Sequence, residues 1–203
     1  IAYAKADFST SNQLFVDSLI RNFPATLHSA VDIGCGPGDV MIRLARAVPG
    51  LHVTAIDGSA PMIALGRDAI RAAGLEDRIT LLRGQIPGVP LADHAYDAIL
   101  SKDLLHHLPD PSVLWKEVRR LGRSGAVVFV MDLIRPSSPA AAHRIVDSVA
   151  ASEGPVLQED FYNSLCAAFT IDEVREQLAA AGLGLRVAKV SDRHMLISGV
   201  ISP

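Results

Sequence analysis

Three glycines at alternate positions, Gly34, Gly36 and Gly38, sit inside the stretch Val31-Asp32-Ile33-Gly34-Cys35-Gly36-Pro37-Gly38-Asp39. A short apolar run (Ala30, Val31, Ile33) enters it and a helix-like pattern leaves it. Such a stretch can cradle a nucleotide. Glycine allows the tight turns and leaves no Cβ between ligand and main chain, and the following helix start offers unpaired N–H groups. Asp57 ends the next apolar run, 19 residues after Gly38. A carboxylate there can accept hydrogen bonds from both hydroxyls of a ribose, each worth roughly 1.5–3 kcal/mol. Capping of the next helix falls to Ser59, ahead of Ala60-Pro61, which leaves Asp57 free for a ligand.

The spacing decides which nucleotide is expected. Dinucleotide sites read G-x-G-x-x-G, whereas this chain reads G-x-G-x-G with Asp39 where no glycine follows. A carboxylate on the first helical turn repels a pyrophosphate but not a ligand that carries a positive charge and no phosphate. A nicotinamide-dependent dehydrogenase is therefore disfavoured.

Other residues of chemical interest lie further along. His106 and His107 are candidate general bases, of which at most one can face a pocket, because consecutive residues on a short turn point apart. Lys102 and Asp103 either line a pocket or sit on a solvated loop. Arg135, His143, Tyr162, Asn163, Arg193 and His194 are candidates for substrate recognition, and Phe161, Leu165 and Phe169 read as core.

The elements that must position these residues alternate. Residues 1–29 open with Tyr3 and Phe8, and Ser9 or Thr10 is expected to cap a helix with Leu14, Phe15, Leu19 and Phe23 inward, ended by Pro24. This segment packs on the fold's edge or forms a lid over the cofactor. Strands are expected at 30–33, 53–56, 79–82, 96–100 and 126–130, with helices between them. Residues 135–169, punctuated by Pro136, Pro139 and Pro155, interrupt the alternation with two weak helical stretches, about 140–151 and 158–168. Thr170-Ile171-Asp172-Glu173 is a capping box. Two closing strands, about 184–191 and 194–201, are separated only by residues around Asp192-Arg193 and must form an antiparallel hairpin. The expected fold is α/β: a doubly wound, mostly parallel, seven-stranded, Rossmann-like sheet with one antiparallel strand from the C-terminal hairpin. Ligands of such sheets bind outside the carboxyl ends of the strands. There lie the glycine turn, Asp57, Gly84-Gln85, Ser101–Asp103, Asp132 and the hairpin tip.

Composition narrows the class. The chain has 203 residues, 49% of them apolar and 20% charged, as expected of one globular domain over 1–203. A net charge of -3 argues against a nucleic-acid surface, which needs clustered Lys and Arg. Cys35 and Cys166 lie far apart with no metal-ligand spacing, so no metal is expected and a cytoplasmic setting is. No apolar run nears the ~18 residues of a membrane span, and no signal peptide is visible. The chain starts at Ile1 rather than Met, so preceding residues that complete a lid could be missing.

Taken together, VDIGCGPGDV at 31–40, IDGSAPMI at 56–63, GLEDRITLLRGQ at 74–85, YDAILSKDLLHHLPDP at 96–111 and VMDLIRP at 130–136 resemble class I S-adenosylmethionine (SAM) dependent methyltransferases. More narrowly, they resemble the methyltransferase type 11 and ubiquinone/menaquinone C-methyltransferase-like group. The resemblance implies SAM as cofactor, S-adenosylhomocysteine as product, and transfer of a methyl group to a small-molecule acceptor by in-line displacement. It implies backbone contact at Gly34, Gly36 and Gly38, the ribose on Asp57, Met62 near the adenine, and Ser101 facing the methionine end. Asp32 would organise the glycine turn or reach the cofactor's amine, and Cys35, Gly58, Gly84 and Ile86 complete the implied cofactor set. Gln85 stands where the group usually has Asp, and its amide oxygen can accept the same adenine bond. Ser124-Gly125-Ala126 replaces a usual Pro-Gly-Gly, which alters only a turn. The resemblance implies no substrate. Acceptor recognition is expected in the inserted segment 135–169 and at the hairpin tip, on Arg135, Tyr162, Arg193 and His194. The histidine string is widespread in the group, which favours a structural role for it. The other readings are a protein or nucleic-acid methyltransferase, disfavoured by charge and by Ser101-Lys102-Asp103-Leu104 in place of an Asn/Asp-Pro-Pro-aromatic motif, and a non-catalytic or partner-dependent SAM-binding module. The oligomeric state stays open, a dimer included.

Overall fold

The structure is a computed structural model that describes residues 8–23 and 27–202. Tyr3 and Pro24 lie outside the described residues. Seven strands form one sheet: β1 (Ser29–Ile33), β2 (His52–Asp57), β3 (Ile79–Arg83), β4 (Tyr96–Lys102), β5 (Gly122–Leu133), β6 (Arg186–Lys189) and β7 (His194–Val200). Their spatial order is β3-β2-β1-β4-β5-β7-β6. The first five run parallel, and β7 pairs antiparallel with both β5 and β6. The helices are α1 (Ser9–Asn22), α2 (Asp39–Ala47), α3 (Ala60–Ala73), α4 (Ser112–Leu121), α5 (Pro139–Val149), α6 (Pro155–Ala167) and α7 (Ile171–Ala180).

The central strands are apolar because both faces are covered. On one face Phe15, Met41, Leu44, Leu100 and Phe129 belong to one buried cluster. On the other, Ile33, Ile99, Trp115, Val130 and Ile197 belong to a second. The helix starts follow local chemistry. Ser59 accepts from the Met62 N–H at the head of α3, and Thr170 and Glu173 bond reciprocally at the head of α7, as the capping-box pattern predicts.

One local expectation needs correction: Phe8, not Ser9 or Thr10, holds the cap position of α1. Of the two readings of this segment, packing is what the contacts of α1 display: Phe15, Val16 and Leu19 are buried, and the Phe15 and Phe129 rings meet edge to face at 5.1 Å. Residues 135–169 do form a helical excursion. Its ends are stapled together where Arg135 N–H donates to Phe169 O and Ile134 bridges Phe169. Inside it, Ala142, Val146, Leu165 and Ala168 share a small core with Leu133. No described helix is long and apolar enough to cross a membrane.

Candidate active site

The glycine turn is shaped as its spacing requires. Gly34, Gly36 and Gly38 all have positive φ, at 80°, 53° and 91°, which a side chain would strain. The Gly34 and Cys35 N–H groups both donate to Ile56 O at the end of β2. A Cβ on Gly34 would strike Leu104 at 3.0 Å, whereas one on Gly36 would meet nothing within 4 Å. Gly34 is thus a packing glycine, and the inner side of Gly36 is open cradle. Cys35 lines the turn as a buried thiol whose pKa burial pushes up, so it is inert packing.

Asp57 holds the turn from across the sheet. One of its oxygens accepts from Gly36 N–H at 2.9 Å and the other from Ser59 N–H at 2.7 Å. A carboxylate has about four acceptor positions, so both oxygens keep capacity for ribose hydroxyls. Gly58 lets the Gln85 side chain lie over the backbone, since a Cβ there would meet Gln85 Cγ at 2.8 Å. Gly84 N–H donates to Asp57 O and keeps β2 and β3 in step at this edge. Met62, in the first turn of α3, is half-buried, as is Ile86.

Asp32 is 2% exposed, with no side-chain hydrogen bond among the described residues. Burial, aided by nearby Asp57 and opposed by Lys102, pushes its carboxyl up to about 7. A buried carboxylate beside a second one is a place that a cationic ligand relieves. Asp39 contributes less to this selectivity than its position suggests. Its carboxylate is engaged by Asn12 and Arg43, at 2.8 and 2.6 Å, on the α1 side. The residues therefore fit SAM, which pairs a ribose with cationic groups, and Asp32 with Asp57 supplies the matching charge.

Several expected site residues have partners within the chain. The Ser101 hydroxyl is buried and donates to Ile33 O at 2.8 Å, tying β4 to β1. Arg135 is held by Glu173 and Ala168 O, which secures the insert to α7. Arg193 pairs with Asp192. Tyr162 stacks on His143 with ring centres 4.3 Å apart on the insert. His194 is buried, with Ser191 Oγ 2.9 Å from its Nδ1.

The two histidines part as consecutive residues must. His107 is exposed on one side, and partial desolvation of its ring together with the neighbouring His106 lowers its pKa. His106 is buried, its Nδ1 2.7 Å from Asp132 Oδ1 at the carboxyl end of β5. Burial alone would lower the His106 pKa, but the Asp132 hydrogen bond and charge outweigh it and raise it. The remaining Asp132 capacity is filled by the Leu105 and Leu133 N–H groups, both at 2.8 Å. Those bonds hold the carboxylate, and the carboxylate fixes the ring with Nε2 as the free nitrogen. The sequence placed Asp132 among the strand ends but gave it no role of its own. Its signal was a lone acidic residue at the end of an otherwise apolar strand.

A Rossmann-like sheet whose glycine turn is tied to a carboxylate at the end of the neighbouring strand, with a second carboxylate buried beside it, is the arrangement of the class I SAM-dependent methyltransferases. Residues 31–130, about half of the chain, match the family model described as a methyltransferase domain. The chain is 30% identical over 116 residues to a demethylmenaquinone methyltransferase of Porphyromonas gingivalis, covering 57% of this chain and 47% of that protein. It is 27% identical over 153 residues to a 27-O-demethylrifamycin SV methyltransferase of Amycolatopsis mediterranei, covering 75% and 53%. The chain spans about half the length of the curated relatives it matches. A SAM-dependent methyltransferase structure from Aquifex aeolicus superposes with a TM-score of 0.69 at 20% identity, over 97% of this chain and 100% of that one.

Proposed function

We propose that this chain methylates a small organic acceptor that arrives protonated on oxygen, with His106 as general base and Asp132 as its positioning residue. The observation that carries this reading is the buried His106–Asp132 hydrogen bond at the sheet edge that also holds the cradle. SAM supplies an electrophilic methyl group when bound. The chain's own part is to hold that group by the glycine turn, Asp57 and Asp32, and to take a proton from the acceptor at His106 Nε2. A positioned base contributes typically 10²–10⁴-fold. The two curated relatives are named for demethylmenaquinone and 27-O-demethylrifamycin SV, which supports a small organic acceptor. The acidic balance of the chain supports it as well.

The first test is calorimetric titration with SAM, S-adenosylhomocysteine and NAD. Binding of the first two alone is expected, and binding of NAD alone would overturn the cofactor assignment. The second is transfer of radiolabelled methyl to a library of hydroxylated small molecules. His106→Gln is expected to cut turnover at least a hundredfold, Asp132→Asn at least tenfold, with the SAM dissociation constant unchanged. The wild-type rate should climb with pH, its midpoint above the ordinary imidazole value, because the base acts only when neutral and Asp132 raises its pKa. A His106→Gln variant with full turnover would remove the base assignment.

A further inference from the structure

At the end of β4 the chain does something costly. Asp103 adopts a left-handed backbone conformation, φ 55°, that non-glycine residues seldom take. Its N–H is spent on Met131 O. One carboxylate oxygen, Oδ2, pairs with the ammonium of Lys102, a lysine whose side chain is only 6% exposed. The other, Oδ1, is buried with no hydrogen-bond partner. Strained backbone and an unsatisfied buried acceptor in one residue concentrate at sites that bind or react.

The electrostatic neighbours of Asp103 say which half of the site it serves. They are Lys102, His194 and His106, and they keep its carboxyl ionised against the effect of burial. Asp32 instead couples to Asp57 and Lys102. The polar groups at the sheet edge therefore fall into two sets that meet at Lys102. One lies over β2, β1 and β4 and belongs to the cofactor. The other, with Asp103, His106 and His194, lies over β4, β5 and β7.

We propose that Asp103 Oδ1 is an acceptor-binding atom, and that the acceptor carries a neutral hydroxyl donating to it beside the hydroxyl delivered to His106. This rests on the methyl-transfer reading above. A neutral donor is favoured over a second cation because Lys102 already balances the Asp103 charge, and another cation would face that ammonium. Asp103 and His106 are three residues apart and each is an electrostatic neighbour of the other, so the fitting acceptor carries two hydroxyls close together, as a vicinal diol does, aromatic or aliphatic.

The test uses the chain saturated with S-adenosylhomocysteine and four probes: catechol against phenol, and cis-1,2-cyclohexanediol against cyclohexanol. In at least one pair the diol is expected to bind ten times tighter or more than the monohydroxyl compound. Asp103→Asn should reduce that ratio to about two while leaving the S-adenosylhomocysteine affinity and the melting temperature unchanged. Asn tolerates the left-handed backbone. Should the unpaired Lys102 destabilise this variant, the double variant Lys102→Gln/Asp103→Asn removes both charges and must give the same loss of preference. Equal binding within both pairs, or a preference that survives both variants, overturns the proposal. So does a tenfold loss of S-adenosylhomocysteine affinity in Asp103→Asn, which would assign the residue to the cofactor. Failure of the wild type to bind S-adenosylhomocysteine at all would instead sink the methyl-transfer reading.

Discussion

Asp57→Ala is expected to weaken SAM binding tenfold or more, about 1.4 kcal/mol at least, because it removes the ribose acceptor and unties Gly36 together. Gln85→Ala should change affinity only modestly, since Gln85 is exposed and offers a neutral contact. Titration calorimetry on both variants checks the contrast, and unchanged affinity in Asp57→Ala would exclude its ribose role. Asp32 yields a pH prediction. With its carboxyl near 7 in the cofactor-free chain, it is mostly protonated at pH 6 and ionised at pH 8. A cationic ligand prefers the ionised form, so SAM affinity should fall as pH drops from 8 to 6, by up to roughly tenfold, and Asp32→Asn should flatten that slope. The raised pKa also favours the free fold at low pH, an advantage lost as pH climbs from 3.8 to about 7. At this scale the bend of the glycine turn was legible because it depends on local spacing. The bonds of Ser101, Arg135 and His106 were not. Their partners, Ile33, Glu173 and Asp132, lie 68, 38 and 26 residues away, so only the folded topology decides whether a side chain meets a ligand or a carbonyl.

Among the elements, α1 separates two pictures. A helix that merely closes over a ligand tolerates truncation of its inward side chains at little cost to stability. Phe15 is fully buried against Phe129, so Phe15→Ala should cost about 3–5 kcal/mol of unfolding free energy, read by chemical denaturation without cofactor. A loss below 1 kcal/mol would restore the lid. The sequence pattern located this helix and the insert because amphipathic period and proline punctuation are local signals. It did not show how deeply α1 is seated, since Phe129 enters the chain 114 residues later. The insert's stapled ends show the same limit, as Arg135 and Phe169 come together only once β5 and α7 are docked.

Over the whole molecule, ligand and fold share one free-energy balance. The cofactor cradle bridges β1, β2 and the start of α2, so a ligand that binds only the folded chain stabilises all of it. S-adenosylhomocysteine at a hundred times its dissociation constant should add about 2.7 kcal/mol, which for a chain of this size raises the melting temperature by roughly 5–10 °C. Scanning calorimetry with and without the ligand checks this, and NAD at the same concentration should leave the transition in place. The overall architecture was the most legible feature of the sequence, because strand–helix alternation and a short closing hairpin leave few topologies.

The position of β7 between β5 and β6 also bears on how the chain is made. During synthesis Ala126–Leu133 leaves the ribosome more than sixty residues before its partner His194–Val200 does. Throughout that interval one flank of the most apolar strand is a bare hydrogen-bonding edge, the kind that recruits other nascent chains. The β6–β7 hairpin, translated after the rest of the sheet, is thus its seal, and a ribosome that stalls or terminates near residue 190 releases a chain with its stickiest edge uncovered.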